Sequence, residues 1–187
     1  MVVPDYTQLT VTKATYTPMM KKMPDFPGAR ITLPWNLYTP AQAEVNPEEK
    51  FPMVVSLHGG YGREVDQGNI LVDGAPFLLG ASTGLLTPEN RAKYPAYILM
   101  PWCRLQADCS FYSNEWSSNG GANFQVAAQP SKYGSALIEL IEHMIKNYAV
   151  DPARIYVTGA SMGGGGTWEL AQRRPDLIAA AFPMAGH

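Results

Sequence analysis

Arg154-Ile-Tyr-Val-Thr-Gly-Ala-Ser-Met-Gly-Gly-Gly-Gly-Thr167 decides the fold of this chain. Arg154 to Thr158 is β-branched and apolar, as a buried strand should be. Met162 to Arg174 reads as a helix ended by Pro175. Between them stands Gly159-Ala160-Ser161-Met162-Gly163, a G-x-S-x-G spacing. A chain that turns from strand to helix in so few residues forces its central residue into a strained backbone conformation. Side chains two positions before and after the serine would collide, so both positions take glycine. The serine hydroxyl is then held up at the carboxyl edge of a sheet, over the free N–H groups of the following helix, where developing negative charge is favoured. Ser161 is therefore the candidate nucleophile, and the main-chain N–H of Met162 a candidate oxyanion donor. The alternative is a tight glycine turn whose serine merely caps the helix. A phosphate-binding loop is excluded by the missing lysine. Gly163 to Gly166 is no dinucleotide fingerprint either, because it lies inside the helix start. Those four glycines instead suit close packing of the helix on a sheet.

Working outward, Phe51 to Leu57 is a second buried strand, and it runs into His58-Gly59-Gly60-Tyr61-Gly62. Acyl transfer needs at least two donors converging on the oxyanion. The N–H of Gly60 or Tyr61 supplies the second, and His58 braces this loop in preference to acting as a base. Ala96 to Met100 is a further strand. Leu137, Leu140, Ile141, Met144, Ile145 and Tyr148 recur at helical spacing, and Asp151-Pro152 ends that helix and redirects the chain. Ile70 to Leu79 includes a helix, Ala41 to Lys50 reads as a loop, and Leu177 to Met184 as a last strand. Toward the N-terminus, Thr7 to Tyr16 and Ala29 to Leu37 are strand candidates, the second an edge strand because of Pro34. From residue 51 strands alternate with helices. That order means an α/β fold with a mainly parallel sheet, one domain over 1–187 with N-terminal strands and loops in 1–50 and the core in 51–187.

Residues 102 to 130 form a long loop rich in Ser, Asn, Gly and aromatic residues, including Tyr112 and Trp116. Loops this long are usually functional or disordered, and the aromatic content favours the first. Tyr112 and Trp116 are candidate substrate-binding residues, the alternative being a structural loop packed by its own rings. Cys103 and Cys109 are close enough in sequence for a small disulfide loop or for two ordinary thiols. They make no metal site, since zinc needs about four ligands and His58, His143 and His187 are scattered.

The 187 residues are 46% hydrophobic and 16% charged, with a formal net charge of −2. That balance lacks the basic face of a nucleic-acid binder and the polybasic cluster of a membrane anchor. No apolar run approaches the roughly 20 residues of a membrane span. The first residues lack a signal-peptide pattern, which leaves a cytoplasmic chain or a removed leader.

Leu57-His-Gly-Gly60, Asp151 to Gly164, Thr167-Trp168-Glu-Leu170 and Arg174 to Gly186 together resemble the α/β-hydrolase esterases. The resemblance is to the branch of feruloyl esterases, polyhydroxybutyrate-depolymerase-like enzymes and predicted peptidases of dienelactone-hydrolase type. It runs from about residue 50 to the end. It implies the α/β-hydrolase fold, Ser161 as nucleophile, Gly60 and Met162 as oxyanion donors, and ester hydrolysis with no metal or organic cofactor. It also implies an extracellular enzyme acting on aryl or carbohydrate-linked esters; a peptidase and a non-catalytic binding protein are the alternatives. The fold orders its triad as Ser, Asp or Glu, then His. After Ser161 the acids are Glu169 and Asp176 and the histidine is His187. None stands where the fold places its triad partners, so a further C-terminal segment is expected to supply them. The apolar last strand is expected to need a partner, either that segment or a second copy.

Overall fold

The computed structural model describes residues 11–18, 31–60, 84–103, 116 and 129–186. The expected helix at Ile70 to Leu79, together with Tyr61, Cys109, Tyr112 and His187, lies outside the described residues.

Six strands form one sheet: β1 (Val11–Tyr16), β2 (Leu33–Tyr38), β3 (Phe51–Leu57), β4 (Tyr97–Pro101), β5 (Val150–Ala160) and β6 (Ala180–Met184). Their spatial order is β1-β2-β4-β3-β5-β6. The first two pairings, β1 with β2 and β2 with β4, are antiparallel. Those of β3 with β4, β3 with β5 and β5 with β6 are parallel. Among the described residues the helices are α1 (Ala41–Val45), α2 (Pro88–Lys93), α3 (Lys132–Asn147) and α4 (Met162–Arg173). The expected α/β fold with a mainly parallel core is therefore present.

The sheet divides the apolar interior. One face carries Leu33, Leu37, Met53, Val55, Leu57 and Leu99, covered by Leu137, Leu140, Ile141 and Met144 of α3 and Leu170 of α4. Alternate residues on the other face, Tyr38, Ile98 and Met100, pack with Leu86. The helical period read from Leu137 to Met144 thus identified the buried stripe of α3, whose N-terminus is capped by the Ser131 hydroxyl accepting from Gly134 N–H at 2.8 Å.

Three expectations need correction. First, β2 is an interior strand, not an edge. Pro34 faces Thr15 of β1, and the β4 ladder begins only at Trp35. The Pro34 carbonyl accepts from Trp102 N–H at 2.8 Å, toward β4. In an extended strand a residue's N and C=O point the same way, so the missing N–H falls beyond the end of the β4 ladder and the β1 ladder loses nothing. Second, Ala41 to Lys50 opens with α1 instead of being wholly loop. Third, Asp151-Pro152 does not separate helix from strand but lies within β5, where the register with β3 shifts between Phe51 and Met53. The bulge is fastened by Asp151, which accepts from Ala153 N–H at 2.9 Å and from Arg154 Nε at 2.6 Å, while Arg154 also donates to the Lys50 carbonyl.

Candidate active site

The site is set by register. Leu57 is opposite Gly159 in the parallel β3–β5 ladder, so the chain leaving β3 as His58-Gly59-Gly60 and the chain leaving β5 as Ser161 emerge side by side. The chain order changes direction here as well: β4 lies on one side of β3 and β5 on the other. Crevices at such a switch point are where open α/β sheets bind ligands.

Ser161 has φ 54° and ψ −118°, a conformation costing about 1–3 kcal/mol for a residue with a side chain. Its N–H donates to the Met184 carbonyl at 2.9 Å and its carbonyl accepts from Gly165 N–H at 2.9 Å, which ties the turn to β6 and to α4. The Ser161 side chain makes no cap to α4, and the residue is exposed. The capping-serine alternative therefore fails, and the hydroxyl stands at the start of the helix. Both flanking glycines are sterically required. A Cβ on Gly159 would lie 2.6 Å from the Gly163 carbonyl carbon and 2.6 Å from the Leu57 carbonyl oxygen, and one on Gly163 would run into that same oxygen. The elbow is thus pressed against the backbone of the β3 exit as well as against itself. Gly164 abuts Met184 and Gly186, and Gly166 abuts Trp116, so the glycine run does let α4 seat closely on its neighbours.

His58 is 2% exposed. Its Nδ1 lies 2.7 Å from the Gly59 carbonyl, and its Nε2 accepts from Cys103 N–H at 2.9 Å. An acceptor at Nε2 fixes the tautomer with the proton on Nδ1, donating to Gly59. Both ring nitrogens are engaged within the protein, which fits the bracing role and not a base. His143 lies on α3, its ring 5.3 Å from that of Tyr16 and its Nδ1 3.0 Å from Asn147 Nδ2. Glu169 is buried in α4 and paired with Arg173 at 2.6 Å, and Asp176 is paired with Arg174 at 2.9 Å beyond the C-terminus of α4. Gly60 follows directly on the braced peptide, and a Cβ there would meet nothing within 4 Å. Met162 is the first residue of α4, so its N–H is one of the unpaired groups of a helix start.

Trp116 corrects the sequence reading. It is 1% exposed, its indole Nε1 donates to the His58 carbonyl at 3.1 Å, and its ring stands edge-on to His58 and Tyr133 at 5.3 and 6.2 Å. It is packed inside the protein and cannot line an open cleft. An aromatic in a polar loop signals burial as readily as binding, and the sequence held nothing to separate the two. Cys103 is fully buried, and its N–H is what orients His58, a role that only the fold reveals. Among the described residues no group of three His, Cys, Asp or Glu side chains is placed to hold a metal ion, and no helix is long and apolar enough to cross a membrane.

No family model matches the chain. A poly(3-hydroxybutyrate) depolymerase of Ralstonia pickettii is 30% identical over 155 residues, 80% of this chain and 28% of its own length. A thermostable esterase of known structure superposes with a TM-score of 0.64 and 30% identity, over 91% of this chain and 40% of that one. A ferulic acid esterase, at 19% identity and TM-score 0.61 over 95% of this chain and 58% of that one, shows the shared fold. The chain thus spans less than half the length of the depolymerase and of the thermostable esterase. Its fold, its strained serine elbow and its esterase and depolymerase relatives place this chain in the α/β-hydrolase superfamily.

Proposed function

We propose that the protein carrying this chain is a serine carboxylester hydrolase working through an acyl-enzyme on Ser161. The single observation that carries the reading is the Ser161 backbone, strained at φ 54° at the head of α4 with its side chain not spent on capping. The Ser161 oxygen attacks the ester carbonyl, and the tetrahedral oxyanion is held by N–H groups of Met162 and of Gly60 or Tyr61. The alkoxide leaves, and water releases the acid. The serine proton needs a base, which on this reading belongs to chain beyond Ser161, outside the described residues; His58 is committed to the oxyanion loop.

The substrate reading moves with the structure. The resemblance implies aryl or carbohydrate-linked esters; of the two aromatic residues expected to hold such a group, Trp116 is buried and Tyr112 lies outside the described residues. A relative that matches 80% of the chain is named for a polymer of hydroxybutyrate, so an aliphatic hydroxy-acid polyester is the substrate class we propose first. A peptidase uses the same elbow and remains the second reading. An extracellular location accompanies a polymeric substrate.

The test is a fluorophosphonate probe and a substrate panel on the full-length protein. Label is expected on Ser161, and Ser161→Ala is expected to lose on the order of 10⁴-fold or more in turnover of p-nitrophenyl butyrate. Clearing of a poly(3-hydroxybutyrate) suspension, with no cleavage of peptide anilides, is the expected panel result. Label on another serine with Ser161→Ala still active would overturn the assignment.

A further inference from the structure

We infer that Trp116 is a positioning residue for the oxyanion donor at Gly60, acting through the His58 main chain. The inference rests on the acyl-enzyme reading above. Two consecutive peptide planes are fixed at the exit of β3. The Trp116 indole N–H holds the His58 carbonyl at 3.1 Å, which sets the His58–Gly59 plane. His58 Nδ1 holds the Gly59 carbonyl at 2.7 Å, which sets the Gly59–Gly60 plane. A trans peptide is planar, so fixing the Gly59 carbonyl aims the Gly60 N–H in the opposite direction. Trp116 also fixes where this loop stands relative to the nucleophile. Its Cβ occupies the space that a side chain on Gly166 of α4 would need, and its own carbonyl accepts from the Ser131 hydroxyl at 3.2 Å at the start of α3. One buried side chain therefore registers the oxyanion loop against the helix that carries Ser161. It does so without touching substrate, because it is 1% exposed. Electrostatic stabilisation of this kind depends on donors held in place before the charge develops.

Trp116→Phe in the full-length enzyme keeps most of the ring and deletes the indole N–H. The expected result is a kcat lower by about 10-fold or more, somewhat below the roughly 10²–10³-fold cost of deleting a donor outright. KM should stay within about two-fold, and affinity for a boronic acid that adds to Ser161 should fall in step with kcat. An unchanged kcat beside an inactive Ser161→Ala control overturns the positioning role and leaves the acyl-enzyme reading standing. A rise in KM that accounts for the whole loss also overturns it. A Ser161→Ala enzyme that still turns over removes the acyl-enzyme reading and this inference with it. If Trp116→Phe does not fold, the unsubstituted enzyme decides: the Trp116 indole N–H must be strongly protected from hydrogen exchange before any ligand binds, and exchange at the rate of an exposed indole overturns the inference.

Discussion

Gly60 and Gly163 show how one residue type serves two physical ends. Around Gly60 a Cβ would meet nothing within 4 Å, whereas at Gly163 it would run into the Leu57 carbonyl. Gly60→Ala is therefore expected to leave the unfolding midpoint unchanged. It should still lower kcat/KM, because the added methyl stands beside the proposed oxyanion site. Paired thermal melts and ester kinetics check this, and unchanged kinetics would remove Gly60 from the donor set. Gly163→Ala should instead cost stability, about 1–3 kcal/mol or more by overpacking, since backbone cannot step aside as a side chain can. It should also abolish fluorophosphonate labelling of Ser161, as measured by denaturant titration and gel fluorescence. His58→Ala is expected to cost about 1–3 kcal/mol in the same titration, because it takes the acceptor from the buried Cys103 N–H.

At the scale of elements, the C-terminus of α4 is clamped by charge. Helix α4 stops at Arg173 because Arg174 precedes Pro175, a position that disfavours helical backbone. Freed from the helix, Arg174 bridges Glu142 of α3 at 2.6 Å and Asp176 at 2.9 Å. Its hydrogen bonds hold the Asp176 carboxyl below the usual carboxylate range, and hydrogen bonds from Ala153 N–H and Arg154 do the same for Asp151 at the β5 bulge. A carboxylate whose native pKa is depressed contributes stability that is present above its unfolded value. That stability is lost as pH falls through the native value. Arg174→Gln should thus be less stable than the wild type above about pH 4, the ordinary aspartate value, with the gap closing at more acid pH. Urea midpoints measured across pH 2 to 7 test this, and a gap independent of pH would mean that the clamp acts by packing alone. One turn before Glu142 on α3, burial and then Glu139 push the Tyr16 phenol up, and burial and then Glu142 raise the Glu139 carboxyl. These groups link β1 to the helix that covers the sheet.

Over the whole molecule, the site exists because the sheet brings together pieces far apart in sequence. The β3 exit, the β5 exit and Trp116 meet only when the parallel β3–β5 ladder is in register, with α3 covering the face beneath. Leu140 is fully buried in that layer. Leu140→Ala should cost about 2–5 kcal/mol. Ser161 labelling at low temperature should be retained, because the lost contact lies under the sheet and not at the elbow. Loss of labelling in a variant that still melts cooperatively would show that α3 packing sets the elbow geometry directly.

The local patterns decided much of this fold. The G-x-S-x-G turn, the apolar β3 run and the helical period of α3 are written in neighbouring residues, and each is held by constraints of a few residues' reach. The contact of Gly159 with Gly163 is of that kind, so the strained turn at Ser161 was legible from the sequence, whereas the crowding of Gly163 comes from Leu57 and His58 at the β3 exit. Tertiary contacts decided the rest. Pro34 looked like an edge marker, yet β2 is interior because the ladder to β4 begins one residue later. Trp116 looked like a ring for substrate, yet it is spent on a carbonyl 58 positions earlier. The tautomer of His58 is fixed by an N–H 45 positions later. A side chain's chemistry is the same in a cleft and in a core. What decides between them is which distant backbone groups the sheet has already brought within hydrogen-bonding reach, and no local pattern encodes that.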